Sequence, residues 1–565
     1  LSGDYTISDY LLMRLAELGI RHIFGVPGDY SLAFLDRVLA SGKVSWVGNA
    51  NELNAAYAAD GYARVAGAGA VVTTYGVGEL SAINGIAGSY AEYVPVVHIV
   101  GAPSTRVQRA GALVHHTLGD GDFEHFARAH AEVTVAQAYL SAGNAAAEID
   151  RVLATMLRER RPGYLVIPAD VATAPAEPAL GPLHVPPPDT SARVLEDFTA
   201  VARVMLSGAD TLAVLADFLA DRFDVRGELA DLVAAGGIPH ATLSMGKGVL
   251  DEDNAGFVGT YSGAASAKPV LAAIEGADLL ISVGVRLTDS TTIGFSQQLD
   301  PARTIDVQPF STRIGDREFA PLPMKAAVQA LVELVKELDR SWPQPDLPQT
   351  PQDDDGLDGR GELQHAHLWP AVQRFLRPGD IVLADQGTAF FGAQTMRLAA
   401  GVTFISQALW ASLGYTLPAA LGAALAAPQR RTLLLIGDGA AQLTAQEFGT
   451  LIRESCNVIT ILINNDGYTI ERAIQLAGLL VEIHGAEQHY NDIPAWNWPL
   501  VPMAMGGATM HTARADTPFE LNRLLKSVAD PAGPVLLDAV LPKLDVPDLL
   551  SALARSAVAA NKRHG

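Results

Sequence analysis

Apolar residues in this chain fall into short continuous runs separated by longer amphipathic stretches, the pattern of strands buried on both faces and of the helices that cover them. The pattern is clearest in Thr432 to Glu471, TLLLIGDGAAQLTAQEFGTLIRESCNVITILINNDGYTIE. There Leu433–Ile436 predicts a buried strand and Gly437-Asp438-Gly439 a tight turn. Thr444–Glu454 predicts a helix, and Val458–Ile463 a second strand that ends at Asn464-Asn465. Further strands are expected at His22–Val26, Ala70–Thr74, Val96–Gly101, Leu212–Ala216, His240–Leu243, Asp278–Val283 and Ile381–Ala384. Ser8–Leu18 predicts an amphipathic helix with Ser8 as its N-cap, and Pro547–Ala560 a C-terminal helix. The alanine-rich run Leu417–Ala427 predicts a buried helix.

Two stretches interrupt this alternation. Val171–Thr190 carries repeated prolines, and Ser341–Gly361 carries four prolines and Asp353-Asp354-Asp355; both read as extended linkers. They divide the chain into domains at 1–180, 192–340 and 362–565, each an α/β unit with a doubly wound parallel sheet. A length of 565 residues fits that count.

Composition narrows the partners. A formal charge of −22 argues against nucleic acid or an anionic membrane surface. The single cysteine, Cys456, permits no internal disulfide and favours a reducing cytoplasm; as the last residue of an apolar helix it reads as a packing residue. No apolar run reaches the ~18 residues needed to cross a bilayer, and LSGDYTISDY has no signal-peptide pattern. The expectation is a soluble cytoplasmic protein whose N-terminus, lacking Met, leaves trimming open.

A parallel strand–helix–strand unit brings the carboxyl ends of its strands together, where ligands bind in open α/β sheets. Asp438 and Asn465 then converge as oxygen ligands. With a backbone carbonyl near Gly467 and the oxygens of a diphosphate they suit Mg²⁺, and the N–H groups of the next helix face the same phosphates. The alternative is an ordinary βαβ unit with two polar turns.

With 24 residues between Gly439 and Asn464, this stretch resembles the GDG…NN fingerprint of the thiamine diphosphate-dependent enzymes. The resemblance implies thiamine diphosphate and Mg²⁺ as cofactors. Asp438, Asn465 and Gly467 would hold the metal, and Thr388, Ala411, Leu413, Gly439, Ala440, Tyr468 and Thr469 would contact the cofactor. Leu413 would be the wedge that keeps the cofactor bent; a core leucine is the other reading.

Asn49–Ala66 (NANELNAAYAADGYARVA), preceded by PGD at Pro27–Asp29 and followed by TTYGVGELSAINGIAGSYAEY, resembles the pyruvate and indolepyruvate decarboxylase branch of that family. The glutamate of NELN, here Glu52, would hydrogen-bond N1′ of the aminopyrimidine and promote the C2 ylide. The pair His115-His116 with Asp29 and Glu471 would form the proton-transfer set that protonates the enamine before the aldehyde leaves. Two histidines in a polar loop are otherwise surface residues. Ser290, Gln386, Phe390, Phe391, Ile470, Leu553 and Ala557 would line the substrate pocket. The phenylalanine pair favours aliphatic or phenyl side chains over indole. Active sites in this family lie between subunits, so a homodimer or homotetramer is implied.

The expected reaction is non-oxidative decarboxylation of a 2-keto acid: phenylpyruvate, indolepyruvate or a branched-chain acid. The alternatives are a pyruvate decarboxylase and a sister carboligase of the acetohydroxyacid synthase type. A nicotinamide oxidoreductase rests only on Gly76-Val77-Gly78-Glu79, an incomplete dinucleotide turn without a convincing ribose-binding acid, Glu92 lying in the helix region beyond. Gln475–Ile483 reads as an insertion beside Glu471, and it leaves open a catalytically weakened binding protein.

Overall fold

The computed structural model describes residues 5–344, 359–477, 489–508 and 510–563, with side chains in the final helix as far as Ser556. Three sheets order these residues. The first contains β1 (His22–Gly25), β2 (Ser45–Gly48), β3 (Gly69–Thr74), β4 (Val96–Ala102), β5 (Ala136–Tyr139) and β6 (Gly163–Pro168), all parallel in the order 2-1-3-4-6-5. The middle sheet contains β7 (Leu212–Ala216), β8 (His240–Thr242), β9 (Phe257–Thr260), β10 (Leu279–Val283), β11 (Thr304–Val307), β12 (Thr312–Ile314) and β13 (Arg317–Phe319). The last contains β14 (Ile381–Ala384), β15 (Thr403–Ile405), β16 (Thr432–Gly437), β17 (Val458–Asn464), β18 (His511–Ala515) and β19 (Val535–Val540). It runs 15-14-16-17-19-18, also all parallel, and so repeats the topology of the first sheet.

The expected doubly wound α/β units are present, with one correction. The middle sheet is mixed, because β11, β12 and β13 form an antiparallel meander at its edge. These strands are only three or four residues long and leave too weak an alternation to read.

Three local expectations also change. The first helix is Ile7–Glu17, and its N-cap is Thr6 rather than Ser8. Thr6 and Asp9 form a capping box, worth about 1 kcal/mol, while the Ser8 hydroxyl donates to the Ala172 carbonyl. The helix expected over Thr444–Glu454 is two helices, Asp438–Thr444 and Glu447–Arg453, so Asp438 and Gly439 open a helix directly rather than forming a free turn. Cys456 is buried beyond the end of the second helix, where burial pushes its thiol up to about 12, and it remains a packing residue. Of the insertion, Gln475–Ala477 continues the helix Thr469–Ala477, and residues 478–483 lie outside the described residues. The first linker packs onto the first domain as far as Leu183, whose N–H donates to Glu17.

First and third domains dock through the helices Glu52–Ala66 and Thr416–Ala426. Backbone approaches backbone so closely that a Cβ on Gly61 would lie 2.2 Å from the Ala419 carbonyl oxygen, and one on Gly422 1.9 Å from that of Ala58. Alanines fill the rest of the seam, which explains the alanine-rich pattern of both helices.

Candidate active site

In both parallel sheets the candidate residues leave the carboxyl ends of strands, as the sequence pattern requires. In the third domain Gly437 of β16 lies opposite Ile463 of β17, so Asp438 and Asn465 emerge side by side. Asp438 Oδ1 accepts from the Gly439 N–H at 2.8 Å and Oδ2 from the Gly467 N–H at 3.1 Å. The carboxylate is buried, and burial pushes its pKa up to about 6. Among the described residues no cationic side chain pairs with it. Asn465 is buried beside it with its side-chain Nδ2 unpartnered. A buried carboxylate without a counter-charge beside a buried amide fits a hard divalent cation, for which the amide oxygen and not the unpartnered Nδ2 donor would serve. Tyr468 packs so close over Gly439 that a Cβ there would lie 2.8 Å from its ring.

The loop over this floor is fixed by two buried acids. Asp385, at the end of β14, accepts from the N–H groups of Gly414 and Thr416 and from the Thr416 hydroxyl; burial pushes it up to about 6. Glu92, from the first domain, accepts from the N–H groups of Leu409 and Trp410 and pairs with Arg64 at 2.8 Å. Between these anchors Ala411 takes the left-handed conformation at φ +57, and Leu413 is half-buried, with one side packed on the core. Thr388 and Ala440 are buried in the first turns of neighbouring helices.

In the first domain the turn after β3 gathers three candidates. Asp29, at the end of β1, follows Gly28, which rests on the Thr74 side chain. Gly76, at φ +65, lies against the His116 carbonyl, where a Cβ would come within 2.0 Å. The Gly78 backbone faces the Glu52 carboxylate, 3.2 Å from where its Cβ would stand. Glu52 is the first residue of its helix, capped by Asn51, which accepts from the Asn54 N–H at 2.8 Å. Asp29 Oδ2 and His115 Nε2 lie 2.8 Å apart, and the His115 ring stacks on Tyr30 at 4.9 Å and meets His116 edge-on at 4.6 Å. Asp29, His115 and Glu471 are exposed.

Sequence reasoning missed what holds this turn. Glu79, fully buried, accepts from the Gly76 N–H at 2.8 Å and from the Tyr164 hydroxyl at 2.5 Å, and burial pushes it up to about 7. His130 and His98 lie behind it, both lowered by burial. Glu79 in GVGELS, read as part of a dinucleotide turn, is therefore a helix-capping acid.

Among the residues expected to line a substrate pocket, Phe390, Phe391, Ile470 and Leu553 share one apolar cluster, the phenylalanine rings 5.2 Å apart. Ser290 is half-buried on the loop after β10, and that loop reaches the C-terminal helix where Gly294 meets Ser556. Gln386 is half-buried with an unpartnered Oε1. The Ala557 side chain lies outside the described residues.

The candidates thus form two clusters. Asp29, Glu52, His115 and His116 gather on the first domain; Asp438, Asn465, Gly467 and Glu471 gather on the third. No hydrogen bond or ion pair among the described residues joins one cluster to the other.

Two α/β domains of matching topology, one with a buried carboxylate and amide at adjacent strand ends and the other with a carboxylate and imidazoles, fit the class of thiamine diphosphate-binding proteins. Family comparison agrees: residues 5–126, 199–335 and 385–539 match the N-terminal, central and C-terminal domains of the thiamine pyrophosphate enzymes. The chain is 52% identical over 555 residues to an alpha-keto-acid decarboxylase of Mycobacterium tuberculosis, covering 98% of this chain and 97% of that one. It is 49% identical over 559 residues to that of Mycobacterium leprae, covering 99% and 96%. The chain belongs to the thiamine pyrophosphate enzymes, in the family of these alpha-keto-acid decarboxylases.

Proposed function

We propose that this protein decarboxylates a 2-keto acid without oxidation, releasing CO₂ and the aldehyde, with thiamine diphosphate and Mg²⁺ as cofactors. The observation that carries this is the pair of clusters: a buried, uncompensated Asp438 beside Asn465, and a carboxylate–histidine set with Glu52 on the matching sheet. Bound thiamine diphosphate supplies the electron sink for the pair released when CO₂ departs.

Asp438, Asn465 and the Gly467 carbonyl hold the cation, and the N–H groups that open the next helix face the diphosphate. Glu52 presents its carboxylate at a helix N-terminus, half-buried, where it would hold or release a proton for the bound cofactor. Asp29, His115, His116 and Glu471 hold protons for delivery to the product carbon. The separation of the clusters is met by a second copy of the chain, each copy lending its first-domain cluster to the other's third domain, as a homodimer or a dimer of dimers.

Phe390, Phe391, Ile470 and Leu553 suit an aliphatic or phenyl side chain on the substrate. We place the protein in the cytoplasm, in keeping with its lone buried cysteine; no helix among the described residues is long and apolar enough to cross a membrane. The test is aldehyde release from phenylpyruvate and 2-ketoisocaproate, with and without thiamine diphosphate and Mg²⁺. Release that requires both is expected, and the ratio of rates sets the substrate class. Failure to bind the cofactor would overturn the assignment.

A further inference from the structure

Arg472, next to Glu471, has a side chain only 1% exposed and reaches two separate pieces of chain. Its Nη1 donates to the Asn465 carbonyl at 3.1 Å and to the Thr469 hydroxyl at 3.2 Å, and its Nη2 donates to the Asp466 carbonyl. The same Nη2 donates to the Asn491 carbonyl at 3.2 Å and the Asp492 carboxylate at 2.9 Å. The Asn465 and Asp466 carbonyls lie in the loop that carries Asn465 and Gly467, and Thr469 opens the helix that follows it. The other two acceptors lie in a strap that crosses over the loop.

Further contacts tie strap to loop. The Tyr468 N–H donates to the Asn491 carbonyl at 2.9 Å, and Gln442, on the helix opened by Asp438, donates to the Pro494 carbonyl at 2.7 Å. Lys543, just past β19, donates to Asp492 at 2.8 Å. Gly467 sits at the crossing with φ +127. A Cβ there would lie 2.3 Å from the Asn491 carbonyl oxygen and 2.7 Å from Arg472 Nη2, so backbone space as well as conformation calls for glycine.

We infer that Arg472, held by Asp492, is the positioning residue of the cation loop, so that cation affinity depends on the docking of Asn491–Pro494 although neither Arg472 nor Asp492 touches the cation. The inference rests on the reading that Asp438, Asn465 and Gly467 hold Mg²⁺. The physical basis is that the Asn465 and Asp466 carbonyls of this loop turn to Arg472, whereas the Gly467 carbonyl accepts from the Thr469 N–H at 3.0 Å. Among the described residues the planar Arg472 guanidinium spans five acceptors across loop and strap, and a lysine ammonium is too compact to span them. Coupling is reciprocal: what fixes the strap strengthens the cation site, and the bound cation fixes the strap.

Trp496 and Trp498 follow the strap directly and report on it by fluorescence. The experiment titrates Mg²⁺ into full-length protein with saturating thiamine diphosphate and reads tryptophan emission. The panel is wild type, D438N, D492N, R472Q and R472K, with the melting temperature of each metal-free protein alongside. Wild type saturates and D438N loses the response. D492N and R472Q raise the Mg²⁺ half-saturation by about tenfold or more, the usual loss for an outer partner of a metal ligand. R472K falls short of wild type, and metal-free D492N melts as wild type does. Wild-type half-saturation in D492N and R472Q would overturn the inference while leaving the metal reading intact. An undiminished response in D438N would overturn the metal reading and this inference with it. If R472Q does not fold, D492N, whose side chain is one-third exposed, decides.

Discussion

The Glu447 carboxylate of the third domain accepts hydrogen bonds from Asn49 Nδ2 at 2.7 Å and Asn54 Nδ2 at 2.8 Å, gripping the first domain on either side of Glu52. Glu447 is fully buried. The contact fixes the start of the Glu52 helix from outside its own domain. Replacing Glu447 with Ala leaves the buried Asn54 amide and the half-buried Asn49 amide without this acceptor, at a cost of about 1–3 kcal/mol for the buried group. Melting temperature and kcat should both fall. A variant with wild-type melting and kinetics would show that the grip positions nothing.

Glu52→Gln keeps the shape of the side chain and removes its proton chemistry. Turnover should drop by about 10²–10⁴ with thiamine diphosphate affinity within a few-fold of wild type. Calorimetric cofactor binding together with aldehyde release separates the two effects, and wild-type activity in this variant would sink the assigned role.

Glu79 makes stability depend on pH in a definite direction. Its folded pKa of about 7 lies above the ordinary 4.5, so between those values the unfolded chain has lost a proton that the folded chain keeps. Stability therefore falls as pH rises through that window and levels off above it, by at most about 3 kcal/mol. Glu79→Gln removes this slope. The difference in melting temperature between variant and wild type should favour the variant increasingly from pH 5 to pH 7.5; a difference independent of pH would contradict the buried-acid account.

Phe390 is fully buried against Phe391 in the apolar cluster proposed above to line the substrate pocket. Phe390→Leu opens space where a second ring would lie. Relative kcat/KM for indolepyruvate over phenylpyruvate should rise about tenfold, the scale of discrimination an apolar pocket offers. An unchanged ratio would remove Phe390 from the specificity wall.

The amino-acid sequence by itself determined the buried parallel strands marked by apolar runs, their ends and the chemistry placed there. Leu433–Ile436 and Val458–Ile463 are apolar because both faces of a parallel strand are covered, and that period is local. It fixes Asp438 and Asn465 at adjacent strand ends, and the same logic brings Asp29 and His115-His116 to one edge of the first sheet.

Tertiary structure decided how these groups are held. Asn49 and Glu447 are 398 residues apart in the chain, and Glu79 meets Tyr164 across 85. Such contacts leave no periodic trace, and each of these acids passes locally for an ordinary helix residue. Arg472 looks like one charge on an amphipathic helix until the strap is seen to cross beneath it. The helix expected over Thr444–Glu454 splits for a related reason: Glu447 starts a new helix where it turns to the first domain, and the need to bury that carboxylate with partners outweighs helix propensity. Periodicity reports on what covers a segment, but which polar group answers a buried carboxylate is known only once the chain has closed on itself.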